Sequence, residues 1–100
     1  YISRLPIDVA ADTQYHLKIK IDSSRKATIF VNGIQYNVTG TSGSTGGTAV
    51  TSVQPGTAAT KTAALTDDVD LIPYIGIEAG AAAAEAVNVH YTAISRHVFE

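Results

Sequence analysis

The sequence predicts an all-β fold, an antiparallel β-sandwich. Residues 15–22 alternate strictly, with Tyr15, Leu17, Ile19 and Ile21 apolar and His16, Lys18, Lys20 and Asp22 polar, which puts one strand face on a core and the other in water. Asn32-Gly33 separates two short apolar runs, and both residues accept positive φ, the signature of a tight hairpin turn. Residues 79–86, the one stretch of high helix propensity, are too few for a stable helix and are interrupted by Gly80.

Taken in order, residues 7–11 predict a short first strand. Ile7, Val9 and Ala11 alternate with Asp8 and Ala10, Pro6 keeps its own position out of a central strand, and Asp12-Thr13-Gln14 makes a turn. Residues 15–22 follow as the clearest strand of the chain. Asp22 to Lys26 is a polar turn, residues 27–32 are the next strand, and residues 34–38 return after Asn32-Gly33. Residues 15–38 therefore predict a three-stranded antiparallel meander. Pro73 places a further strand at 69–77 at an edge or a bulge. A last strand covers 85–95, where Val87, Val89, Tyr91 and Ala93 hold one parity.

Residues 39–64 break the pattern. Of these 26 residues, 21 are Thr, Ser, Gly or Ala, Lys61 alone is charged, and Val50 and Val53 are the only large aliphatics. Ordering backbone costs roughly 1–2 kcal/mol per residue, which this segment cannot recover by burying itself. It is expected to be a loop or an arm that takes order from a partner. Thr48, Ala49, Val50, Thr51, Ser52 and Val53 form the stretch suited to lie along a sheet edge. No core residue is expected within it, so its deletion should leave the domain folded.

One hundred residues make one domain, or the carboxy-terminal part of one. A start at Tyr1 with no methionine predicts a processed chain or a segment of a longer one, and no basic leader before an apolar stretch is visible. Net charge is −2, so no basic stripe for nucleic acid is expected. With no cysteine there are no disulfides and no thiolate metal sites. No apolar run approaches the ~20 residues of a membrane helix, and no membrane partner is expected. Charged residues are 16%, below the ~25% of an average domain, so the surface relies on hydroxyls and amides.

The order of elements then resembles a known family. YHLKIKID, a polar turn, ATIFVNG and a return strand, followed by LIPYIGIE and a long final VNVHYTAISR, are similar to the carboxy-terminal half of a concanavalin A-like (laminin-G-like) jelly-roll domain. Residues 15–36 and 69–96 carry the likeness, about half of the chain. The Thr/Gly/Ser-rich excursion and the LIPYIGIE…VHYTAISR ending look most like structural proteins of tailed-phage virions. The resemblance implies a jelly-roll sandwich about twice this length, with its missing strands supplied upstream of Tyr1 or by another chain. It also implies binding or scaffolding rather than catalysis.

The chemistry-bearing residues are few. Asp67, Asp68 and Asp70 form the one acidic cluster; three carboxylates could begin a calcium site, which needs six to eight oxygens, but Asp is also an ordinary turn former. No cofactor is expected otherwise. His16 and His90 fall on solvent faces of strands, and Ser95-Arg96-His97 is no triad, because a triad is set by geometry. The glycines from Gly40 to Gly47 lack the Lys-Ser/Thr and helix of a phosphate loop. Glu78, Glu85 and Glu100, the only glutamates, sit in no glycosidase motif. Asn37-Val38-Thr39 is a formal glycosylation sequon. Tyr15 and Tyr91 share parity with core aliphatics, with hydroxyls reaching the rim, whereas Tyr36 and Tyr74 have no clear side. The function expected is a non-enzymatic virion structural protein, a capsid decoration or cement or a tail-associated module. Such a protein would contact other virion proteins and copies of itself at the particle surface. The alternative is an extracellular lectin-like module binding glycans.

Overall fold

The computed structural model describes residues 1–39, 47–67, 72, 74–76, 86, 88–90 and 92–95. The chain divides into two units, Tyr1–Val69 and Asp70–Glu100. In the first, the described residues form five strands in chain order: β1 (Ser3–Arg4), β2 (Leu17–Ile21), β3 (Ala27–Val31), β4 (Ile34–Tyr36) and β5 (Thr48–Ala49). The described residues contain no helix, and most strand residues belong to an antiparallel sheet. In the second unit the described residues form neither strand nor helix. The strand expected at 85–95 is not formed by its described residues, 86, 88–90 and 92–95, where exposed residues such as Val89 and Ile94 bury no apolar face. Most of the strand expected at 69–77 and of the stretch 79–86 lies outside the described residues.

β2, β3 and β4 form the predicted meander, in the order β2-β3-β4. Leu17 faces Val31, Ile19 faces Ile29 and Ile21 faces Ala27. On the other side of β3, Ile29 faces Tyr36 and Val31 faces Ile34. This register collects every large aliphatic of the three strands on one face, in cross-strand rows, and leaves Lys18, Lys20, Thr28, Phe30 and Gln35 on the other.

Both turns follow from their residues. Asn32 and Gly33 have φ of 50° and 81°, as the two-residue β3–β4 hairpin requires. Asn32 adds a side-chain role, since its Oδ1 accepts from the His16 amide at 2.8 Å while its own amide donates to the His16 carbonyl at 2.8 Å. In the β2–β3 turn, the Arg25 amide donates to the Asp22 carbonyl at 2.9 Å and the Asp22 amide donates to the Lys26 carbonyl at 3.1 Å. Arg25 has φ 60°, the left-handed position of a three-residue hairpin loop.

Residues 7–11 form no strand. Their alternation is real, but only Ile7 is half-buried while Val9 is 81% exposed and Ala11 exposed, so the apolar face is too little covered to support one. The unpredicted strand is β1, which pairs in parallel with β5: Ser3 with Thr48 and Arg4 with Ala49.

The largest departure lies in residues 39–64. The described part of this segment is ordered along its own chain. The Thr48 amide donates to the Ile2 carbonyl and the Val50 amide to the Arg4 carbonyl. The segment then runs beside β4, with Tyr36 bridged to Ser52, the Asn37 amide on the Thr51 carbonyl and the Val53 amide on the Gln35 carbonyl. The expectation that it holds no core residue is corrected, because Thr39, Val50 and Thr62 are all buried. Val50 joins Val31, Tyr36 and Val38 as the buried apolar core. Thr62 closes the far side of β3, its Oγ1 accepting from the Ala27 amide at 2.8 Å. Gly47 is required twice over: its φ is 76°, and a Cβ there would stand 2.7 Å from Ile2 Cγ2.

Candidate functional site

The apolar face of the meander is covered unevenly. Val31 and Tyr36 are buried and Ile29 is half-buried. Toward β2 the cover ends: Leu17 is 61% exposed, Ile19 67% and Ile21 48%. The sequence pattern places these three on a core, and the structure places them at the open rim of one. Ile34, in the row of Leu17, is also half exposed. Beside them an open groove of about 510 Å³ is lined by Tyr1, Ile2, Ile19, Ile29, Val38 and Leu65, among others.

The opposite face of β2 is basic. Lys18 Nζ stands 5.6 Å from the centre of the Phe30 ring, a cation–π contact, and Lys20 lies beside Thr28 in the register. A second groove of about 470 Å³ is lined by Phe30, Gln35, Val53 and Pro55, among others.

One carboxylate anchors the end of this sheet. Asp22 Oδ1 accepts from the Ser24 amide at 2.9 Å and the Lys26 amide at 3.0 Å, and Oδ2 accepts from Lys61 Nζ at 2.8 Å. The Lys61 hydrogen bond first, and then the two amides, hold the Asp22 carboxyl at about 2, below its ordinary 3.8, against a smaller opposing effect of burial. Nothing in the spacing of the sequence links Asp22 to Lys61; only the return of residues 60–65 past β3 brings them together. Arg25 binds the same return, with Nε donating to the Leu65 carbonyl at 2.9 Å and its guanidinium 3.9 Å from Asp67.

The other candidates disperse. Asp67 is paired with Arg25, and Asp68 and Asp70 lie outside the described residues. Among the described residues no group of three His, Asp or Glu side chains converges on a metal position. His16 is an exposed residue next to β2, and His97, Glu78, Glu85, Glu100, Tyr91 and the glycines of 40–46 lie outside the described residues. Asn37 of the sequon is committed to the fold, Oδ1 accepting from the Thr60 amide at 2.9 Å. Tyr15 is half-buried with its hydroxyl accepting from the Ala10 amide at 2.9 Å, Tyr36 is buried and Tyr74 is 90% exposed.

Comparison with protein-family models, with curated proteins and with solved structures finds no match for this chain.

Proposed function

We propose that this chain is a non-enzymatic structural module that works through protein–protein contacts, and that the open apolar face at β2 is the surface it uses. One observation carries the reading: Leu17, Ile19 and Ile21 stand 48–67% exposed on a regular strand, where an isolated domain would cover them. The finer reading is a virion structural protein built on a concanavalin A-like jelly roll, whose missing layer would cover this face. It rests on the likeness of residues 15–36 and 69–96 and on the low-charge, hydroxyl-rich composition. The lectin-like alternative has less support, because Tyr15 commits its hydroxyl to Ala10 and Tyr36 is buried.

Substituting Leu17→Lys and Ile19→Lys tests the module. Both side chains are more than half exposed, so the double variant should keep the amide spectrum of the parent chain. It should also lose fixed-stoichiometry copurification with assembled virion shells or tails. Retention of that copurification removes the face from the proposal. Tight, specific binding on a glycan array by the isolated chain would replace the scaffold with the lectin.

A further inference from the structure

We infer that the outer edge of β2 accepts an additional strand from a partner polypeptide, one in which acidic and apolar residues alternate. This rests on the reading of the chain as a protein-contact module and names the partner's chemistry.

The ladder fixes which groups are on offer. The Asn32 amide donates to the His16 carbonyl and the Asp22 amide to the Lys26 carbonyl, so the two pairs that flank the β2–β3 ladder, His16–Asn32 and Asp22–Lys26, are hydrogen-bonded pairs. In an antiparallel ladder such pairs recur every second residue, so Lys18 and Lys20 exchange their backbone bonds with Phe30 and Thr28. The amides and carbonyls of Leu17, Ile19 and Ile21 therefore point away from β3. β2 is the last strand in the sheet order, and among the described residues no backbone hydrogen bond reaches that edge.

The side chains select what fits there. An added strand in register presents alternate residues to the two faces. On one face it meets Leu17, Ile19 and Ile21, which apolar residues would cover. On the other it meets Lys18 and Lys20, with no acid inside the strand; Asp22, at its end, is already bound to Lys61. A second copy of β2 does not fit. Antiparallel pairing centred on Ile19 sets Lys18 opposite the Lys20 of the other copy, and moving the centre by one residue sets Lys18 or Lys20 against itself. Like charges directly opposite are destabilising, and lysine on an edge strand blocks self-pairing. Acidic residues at those positions turn the same geometry into cross-strand ion pairs.

The test uses the full chain, with amide hydrogen exchange read by NMR and a capped peptide of alternating Asp and Val as the probe. In the free chain the amides of Leu17, Ile19 and Ile21 should exchange fast and those of Lys18 and Lys20 slowly. The Asp/Val peptide should slow the three outward amides by roughly tenfold or more, with affinity that falls as salt rises. A Lys/Val peptide should not bind, and Lys18→Glu with Lys20→Glu should reverse that preference. Outward amides already protected in the free chain, protection that grows with protein concentration, or equal binding of the two peptides would each overturn the inference. If Leu17, Ile19 and Ile21 methyl groups become shielded in an assembly while their amides keep exchanging, strand addition fails and the contact role of the face stands.

Discussion

Asp22 joins two parts of the chain that are 39 residues apart, the β2–β3 turn and Lys61. Its carboxyl titrates at about 2 when folded, against an ordinary 3.8, so the sign of its linkage is fixed. The stability it contributes is present above the ordinary value and is lost as pH falls through about 2. The urea midpoint should therefore drop between pH 4 and pH 2, and Asp22→Asn should flatten that drop. An unchanged slope in the variant would show that other carboxylates govern acid unfolding. Asn32 carries a separable pair of roles, a left-handed backbone and an acceptor for His16. Asn32→Ala loses both and should cost about 1–2 kcal/mol, whereas Asn32→Gly keeps the backbone freedom and should cost less. Equal urea midpoints for the two variants would mean that the acceptor alone matters.

At the scale of elements, the meander was readable because each of its determinants is local. Strict alternation set β2, and Asn32-Gly33 set the turn and hence the register between β3 and β4. What alternation cannot state is how far the apolar face is covered. Periodicity places Leu17, Ile19 and Ile21 on one side of a strand; whether anything lies over that side depends on segments remote in sequence. β1 was not legible for a related reason. Two residues in a parallel pair leave no period to detect, and their partner lies 45 positions away in a Thr/Gly-rich stretch with no pattern of its own. The open candidate surface was therefore invisible from sequence, although the alternation already puts Leu17, Ile19 and Ile21 on one face of β2. The burial gradient across the sheet has a direct consequence for stability. Val31→Ala should cost about 2 kcal/mol, because it opens space in the buried row. Ile19→Thr, two-thirds exposed and still a good strand former, should change stability by no more than about 0.5 kcal/mol. Chemical unfolding of both variants measures the contrast, and comparable losses would show that β2 is covered in solution.

At the scale of the Tyr1–Val69 unit, residues 39–64 decide whether there is a fold at all. Their composition forbids a core of their own, and ordering them costs roughly 1–2 kcal/mol per residue. From sequence that leaves a loop or an arm ordered by a partner; in the structure the described part of the segment is ordered on the chain's own strands. Thr48 to Val50 bond to β1, Thr51 to Val53 bond along β4, the Thr60 carbonyl accepts from the Val38 amide and Thr62 pairs with Ala27. Two edges that would otherwise be bare are thus satisfied by one low-complexity segment, and Val50 is one of four buried apolar side chains among the described residues. A core that small tolerates little loss. Deleting residues 40–62 and joining the ends by a short turn removes Val50 and Thr62, removes β5 and leaves β1 without a partner. Of the four buried apolar residues only Val31, Tyr36 and Val38 would remain, and isolated strands of this length are marginal in water. The deletion should therefore abolish the dispersed amide spectrum and the cooperative urea transition of the unit. A shorter deletion of residues 41–45, which keeps Gly47 and all the bonds named above, should preserve both. If the longer deletion keeps a dispersed spectrum, the meander folds without its cover and the segment acts as an appendage to it.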